Sequence, residues 1–232
     1  MKITQYSSTL WQLTRYPAVF PMNCYLIRED DGLTLIDSTM SSPADDVATL
    51  AAKLGIALKR ILLTHAHGDH VGGVGGVRAR FPGLTVAIGE RDGRLLAGDL
   101  SPLPGEPQVP AKGFFSKLDW PPDQLLKAGD RVGSLEVVPA PGHTPGQVAF
   151  LDVRDRALIV GDALQTRGGV AVSGVIRPLF PFPAMAPWHK PTALATPESL
   201  RPLQPSRPGV GHGEPLPAPA TPPPSADESP RR

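Results

Sequence analysis

Residues 64 to 70 read Thr64-His65-Ala66-His67-Gly68-Asp69-His70, which puts three of the chain's six histidines and a carboxylate into one short run. Imidazole and carboxylate are the nitrogen and oxygen ligands that bind zinc and similar divalent ions at neutral pH. The run directly follows Lys59 to Thr64, an apolar stretch that reads as a buried strand. Side chains in a loop at the end of a rigid strand can converge on one point. The fold must therefore gather strand ends around a metal.

The front of the chain alternates strands and helices. Leu10 to Leu13, Asn23 to Ile27 and Leu33 to Ile36 read as short strands, with Asp30-Asp31-Gly32 as a hairpin turn between the last two. Ser42-Pro43 reads as an N-cap followed by proline at the first helical position. Val47, Leu50, Ala51 and Leu54 then keep the spacing of one buried helical face, which Gly55 stops. Gly72, Gly73, Gly75 and Gly76 match no dinucleotide or phosphate loop and read as close backbone packing behind the metal loop. Thr85 to Ile88 is expected as strand and Glu90 to Leu96 as helix. Residues 98–129, rich in proline and glycine, are expected to form a surface excursion. Strands return at Leu135 to Val138, Gln147 to Leu151 and Ala157 to Val160. This order suggests two sheets packed face to face with helices outside.

A hydrophobic content of 41% over 232 residues is enough for a real core. With 23 basic and 22 acidic residues the net charge is +1, so neither nucleic acid nor an anionic membrane is expected as a partner. The one cysteine, Cys24, excludes an intrachain disulfide and fits a reducing compartment; within Asn23-Cys24-Tyr25-Leu26-Ile27 it reads as a buried inert thiol. Met1-Lys2-Ile3-Thr4-Gln5 lacks a signal-peptide stretch and no run approaches transmembrane length, so a cytoplasmic protein is expected. The sequence from Glu214 onward has almost nothing to bury. Residues 1–213 are expected to form the domain and 214–232 a proline-rich disordered tail.

Three later segments supply further ligands. Ala140-Pro141-Gly142-His143-Thr144-Pro145-Gly146 puts a histidine in a stiff turn after a strand. Ile159-Val160-Gly161-Asp162 ends a buried strand on a carboxylate, and Val210-Gly211-His212-Gly213 sets a histidine between glycines. Each alone has an ordinary explanation as a cap, a turn or a surface polar group. Together they place five of the six histidines at strand-end turns.

These segments, in this order, resemble the metallo-β-lactamase-fold hydrolase superfamily, in the branch that includes glyoxalase II-like thioesterases and lactonases. The resemblance runs from roughly Thr4 to Gly213, and Leu35-Ile36-Asp37-Ser38 is similar to the family's early strand ending in a supporting aspartate. It implies an α+β fold, the four-layer αβ/βα sandwich. It also implies two divalent metal ions, zinc first, with manganese or iron as alternatives. His65, His67 and His143 would hold one ion, and Asp69, His70 and His212 the other, with Asp162 bridging both. A hydroxide shared by the ions would then attack an ester, thioester or lactone carbonyl, and Asp69 would orient it or take its proton.

The substrate is expected to be a small molecule. Arg167 is placed to meet a substrate carboxylate, and Phe180, Phe182 and Trp188 to line an apolar pocket. His189 is expected on the surface. The lactonase branch carries a tyrosine from this late segment, whereas Tyr6, Tyr16 and Tyr25 all precede the first ligand. Glyoxalase II enzymes append a helical domain with basic residues for glutathione, and with about twenty residues following His212 that arrangement is not expected. The family's exported β-lactamases generally lack the bridging aspartate, so Asp162 argues against an antibiotic role. The main alternative is a persulfide-dioxygenase-like oxidoreductase of the same fold, with one iron held by His65, His143 and Asp162. A nuclease fits the balanced charge poorly, and a purely structural metal site would close with four ligands and no bridging carboxylate.

Overall fold

A computed structural model describes residues 1–182 and 187–217. The first sheet runs in chain order: β1 (Lys2–Gln5), β2 (Leu10–Arg15), β3 (Met22–Glu29), β4 (Gly32–Ile36), β5 (Leu58–Leu63), β6 (Thr85–Gly89) and β7 (Gln124–Leu126). Its first four strands are antiparallel, and β3 and β4 are joined tightly through Asp30 and Asp31, with Glu29 opposite Gly32. From β4 onward the pairing is parallel, so helices must carry the chain back: α1 (Ala44–Leu54), α2 (Gly68–Val71), α3 (Val74–Arg80) and α4 (Glu90–Leu96). The second sheet is ordered β14-β11-β10-β9-β8, from β8 (Arg131–Val132), β9 (Leu135–Pro139), β10 (Val148–Asp152), β11 (Ala157–Gly161) and β14 (Arg207–Val210). The parallel β11–β14 crossover carries a small hairpin, β12 (Leu164–Gln165) and β13 (Ala171–Val172), and helix α5 (Lys190–Leu200).

Strand alternation separates the layers. Along β3, Cys24 and Leu26 join the core shared with α1, α3 and α4, whereas Tyr25 and Ile27 point to the other sheet. There they meet Leu135, Val137, Phe150 and Ile159. Leu158 and Val160 of β11 face outward and pack with Leu200 of α5. The resulting order is helices, sheet, sheet, helix: the four-layer α+β sandwich. Because both faces of the central strands are covered, they read as continuous apolar runs rather than as alternating ones. Cys24 is fully buried, and burial pushes its thiol far above the ordinary range, so it is inert. Among the described residues no helix is long and apolar enough to cross a membrane.

Several expectations need correction. Helix α1 starts at Ala44, so Pro43 is the N-cap rather than the first helical residue, although Ser42 Oγ still accepts from Ala44 N–H at 3.2 Å. The excursion at 98–129 contributes β7 to the first sheet and returns inward at Lys112 to Ser116 to cover the histidine loop. Helix α5 has no counterpart in the sequence reading. Glu214 is not free either, since it accepts from Lys2 Nζ at 2.7 Å and from Tyr6 Oη at 2.8 Å, and Leu216 N–H bonds to Pro208 O. The expected tail from residue 218 lies outside the described residues.

Candidate metal centre

All seven predicted ligands lie at the carboxyl ends of strands, on the same edge of the sandwich. The β5–α2 loop carries His65, His67 and Asp69 into His70 on α2. The turn after β9 carries His143, and Asp162 and His212 follow β11 and β14 directly. A register irregularity between Ile159 and Gly161, with Gly161 in the left-handed region (φ 54°), turns Asp162 out of the ladder into the site. Gly211 is required by contact, because a Cβ there would stand 2.0 Å from Asp162 Oδ1. Gly72, Gly73 and Gly76 do pack closely behind the loop: a Cβ on Gly73 would lie 2.2 Å from Ser38 O.

The ligand atoms form two clusters, His65–His67–His143 and Asp69–His70–Asp162–His212, each with its donor atoms within 4.8 Å of one another. Asp162 reaches both. Its Oδ2 is 3.4 Å from His143 Nε2 and 3.2 Å from His212 Nε2, and its Oδ1 is 3.3 Å from His70 Nε2. Asp69 Oδ2 lies 3.3 Å from His212 Nε2. His65 Nε2, His70 Nε2 and Asp162 Oδ1 are buried without a properly directed hydrogen bond. Buried polar atoms of this kind are costly unless something else binds them. The donor set and its orphaned inward atoms fit divalent metal ions.

The outer nitrogen of every ring is anchored. His67 Nε2 donates to Lys112 O at 2.9 Å and His212 Nδ1 to Pro21 O at 2.7 Å, since a carbonyl can only accept. His70 Nδ1 lies 2.7 Å from Asp37 Oδ2, and His143 Nδ1 lies 2.9 Å from Ser173 Oγ. Thr64 Oγ1 gives its hydrogen to Asp37 Oδ2 at 2.8 Å, so it accepts from His65 Nδ1 at 3.0 Å. At His65 and His67 these contacts put the proton on the outer nitrogen and leave the other lone pair facing inward. His70 and His212 instead donate outward from rings that their carboxylates hold protonated. Asp37 serves two rings from the left-handed region (φ 61°), which aspartate tolerates better than most residues.

Charge differs between the clusters. Burial, reinforced by neighbouring rings, holds His143 down to about 3 and His65 well below the usual imidazole range; burial also lowers His67. Burial acts the same way on His70 and His212, but there the carboxylates outweigh it: His70 is raised well above its ordinary value, and His212 to about 10. Burial would push Asp69 and Asp162 up, yet their histidines hold both below the carboxylate range. One cluster is three neutral imidazoles; the other is an ionic network.

Asp92 of α4, which the sequence reading missed, joins the two ligand loops. It is fully buried and accepts from Ala66 N at 3.0 Å, Thr144 Oγ1 at 2.7 Å and Gly146 N at 2.7 Å. Burial raises its carboxyl to about 6 against these bonds. Strand β3 clamps the last loop: Asn23 Nδ2 donates to Val210 O and Gly213 O, and Tyr25 Oη donates to Val210 O.

The ligands open into a cavity of about 110 Å³ lined also by Phe20, Gly113, Phe114 and Phe182. A larger groove of about 600 Å³ lies between Leu96, Trp120 and Leu125, but none of its lining residues belongs to either ligand cluster, so the chemistry is assigned to the smaller one. The predicted substrate residues divide. Phe182 lines the cavity, while Phe180 is buried behind it against Phe20 and His212. Trp188 lines nothing there: it is buried, with Nε1 donating to Val109 O and its N–H to His143 O. Arg167 donates to Ala18 O and does not face the cavity. His189 is half-buried on Thr192 at the start of α5 rather than exposed.

Two sheets packed face to face, with a histidine–aspartate cluster at their common edge, define a metal-binding sandwich of the hydrolase type. Residues 18–212 match the family model of the metallo-beta-lactamase superfamily, and the chain belongs to that superfamily. It is 49% identical over 221 residues to the uncharacterized protein YobT of Bacillus subtilis (strain 168), covering 95% of this chain and 94% of that one. It is 30% identical over 163 residues to the hydroxyacylglutathione hydrolase of Aeromonas hydrophila, covering 68% of this chain but only 53% of that protein, so the chain spans about half of it. The crystal structure of TTHA1623 in a di-iron-bound form superimposes with a TM-score of 0.63 at 28% identity, covering 88% of this chain and 93% of that one.

Proposed function

We propose that the two clusters hold two divalent metal ions, with zinc suited to the nitrogen-rich shell, and that the protein hydrolyses an ester, thioester or lactone. The observation that carries this reading is the double reach of Asp162, whose carboxylate touches ligands of both clusters. A structural site would need four ligands; seven, with Asp162 shared between the two clusters, suit a centre with room for water and substrate. When bound, the ions supply Lewis acidity, drawing a nucleophile from water near neutral pH and polarising a carbonyl. The chain's own residues do the rest. Asp69, whose side chain at 20% exposure faces the cavity more openly than His70, Asp162 or His212, stays anionic and accepts a hydrogen bond from the attacking water. The ring anchors hold the imidazoles in place, so no rotamer must be ordered during the reaction. The resemblance to a hydroxyacylglutathione hydrolase supports a thioester among the candidate bonds.

The test is metal analysis of the purified full-length protein together with a panel of esters, thioesters and lactones. Two ions per chain and turnover that is lost in His67→Ala and Asp162→Ala are expected. Full activity of either variant in metal-free form overturns the proposal. One iron per chain with oxygen consumption replaces it with dioxygenase chemistry.

A further inference from the structure

We propose that the non-reacting part of the substrate is an uncharged, apolar alkyl or aryl group, held over the cavity by Phe114 and Phe182. This rests on the hydrolase reading above and names its substrate class.

The size of the cavity carries the first step. At about 110 Å³, a space that the reacting group would share with the ions, it holds little of a substrate, whereas pockets that enclose a drug-sized ligand run to about 300–1,000 Å³. The remainder of the substrate must lie on the rim. That rim is aromatic: Phe114 is 73% and Phe182 54% exposed, and both line the opening. They come from separate parts of the chain, Phe114 from the segment before β7 and Phe182 from the segment between β13 and α5. The Phe114 ring rests on the histidine loop, with its Cδ1 only 2.5 Å from where a Cβ on Gly68 would stand. Phe182 is propped by Phe20 and Phe180, with ring centroids 5.1 and 5.6 Å away, and Phe20 and Phe180 lean in turn on His212. Two exposed rings on a built aromatic base form a recognition surface; scattered single hydrophobes would not.

Charge carries the second step. Among the described residues lining the cavity none is a lysine or arginine. Nearby, Arg167 is committed to Ala18 O and Arg177 to Val170 O. Lys112 gives its backbone carbonyl to His67 and is not among the residues that line the cavity. A substrate carboxylate laid over the two rings would lose water without gaining a lysine or arginine partner from the lining residues.

The experiment uses the full-length, metal-loaded protein and two series of soluble esters and thioesters, one lengthening the acyl chain and one the leaving group, all below their micelle concentrations. Specificity (kcat/KM) is expected to rise about three- to fourfold per added methylene in at least one series until the rings are covered. A matched compound ending in a carboxylate is expected to react at least tenfold more slowly. Phe114→Ala and Phe182→Ala, both at exposed positions, should flatten the slope, and Phe182→Arg should narrow the discrimination against the carboxylate. Binding of non-hydrolysable primary alkyl amides, followed by calorimetry, should tighten by the same factor per methylene and needs no turnover. If no compound turns over but amide binding keeps this slope, the hydrolase reading fails and this inference stands. Flat slopes in both series and for the amides overturn it, as does faster turnover of the carboxylate-ended compound. Flat slopes with sedimentation on phosphatidylcholine vesicles that is lost in both alanine variants also overturn it, in favour of a lipid-docking rim.

Discussion

Thr64 serves two partners with one hydroxyl, donating to Asp37 and accepting from His65. Removing it leaves His65 Nδ1 unanchored and takes one bond from the aspartate that also orients His70. Thr64→Val is therefore expected to weaken metal binding about 10–100-fold, the range seen when an outer partner of a ligand is lost. Thr64→Ser should restore it, and competition with a chromogenic chelator measures both. Protonation adds a second prediction. In the metal-free protein His212 is raised to about 10 and His70 also lies well above its ordinary value, so below that range an incoming ion must displace their protons. His143, held down to about 3, has no proton to lose. Affinity at the Asp69–His70–Asp162–His212 cluster should rise between pH 6 and 9 by up to about tenfold per unit for each proton released, while the three-histidine cluster stays nearly flat. Stepwise acidification of the loaded protein, followed by metal analysis, should therefore empty the ionic cluster first; simultaneous loss would count against this charge assignment. Residue chemistry made the ligands legible, since few side chains bind metals and they occur in runs. Their anchors were only partly so: Lys112 O and Pro21 O are backbone carbonyls, which carry no residue signature. Arg167 was misread because a free-looking guanidinium had a carbonyl partner far away in sequence.

At the level of elements, local pattern and burial decided what could be read. Helix α4 starts and ends where its sequence suggests, and Gly55 closes α1 in the left-handed region. The strands missed are short or carry weak patterns: β1 and β8 lie at sheet edges, and β14 contains Pro208. Helix α5 was hidden by Pro191 and Pro197, the first tolerated at a helix start and the second, with no N–H, removing one helical hydrogen bond. The inward return of Lys112 to Ser116 depends on long-range contact with the histidine loop and leaves no local period. Asp92 shows what an element can do for the site from outside it, because α4 uses this one carboxylate to tie the His65–His70 loop to the His143 turn. Asp92→Ala should orphan three donors and cost about 3 kcal/mol or more. Its pH signature is separable. The folded carboxyl sits at about 6 against 3.8 ordinarily, so its contribution is fully present below about pH 4 and is lost as pH rises through 6. Relative to Asp92→Asn, the native protein should lose about 2 kcal/mol of unfolding free energy between pH 4 and 7. Denaturant melts of both proteins across that range test this, and parallel curves would show that Asp92 does not titrate there.

For the whole molecule, the two sheets meet twice: in the apolar layer of Tyr25, Ile36, Phe150 and Ile159, and at the edge where the ligand loops converge. The first sheet supplies His65, His67, Asp69 and His70, and the second supplies His143, Asp162 and His212. Bound ions would therefore crosslink the sheets, while the apolar layer holds them without help. Buried rings such as Phe150 and Tyr25 each contribute on the order of 1.5–3 kcal/mol by leaving water, so the metal-free protein should remain folded at 25 °C, unlike small domains whose core is their metal. Stability should still respond to the ions by mass action. One ion at a thousandfold excess over its dissociation constant adds about 4 kcal/mol, and in a domain of this size each kcal/mol moves the melting temperature by roughly 2–4 °C. Chelation is expected to lower Tm by roughly 8–16 °C while near-ultraviolet circular dichroism at 25 °C stays native. In Asp162→Ala, which loses the carboxylate common to both clusters, the chelator should move Tm much less. An unchanged Tm in the native protein would mean that the ions do not join the sheets. Loss of the native spectrum at 25 °C would mean that the apolar layer cannot hold them alone.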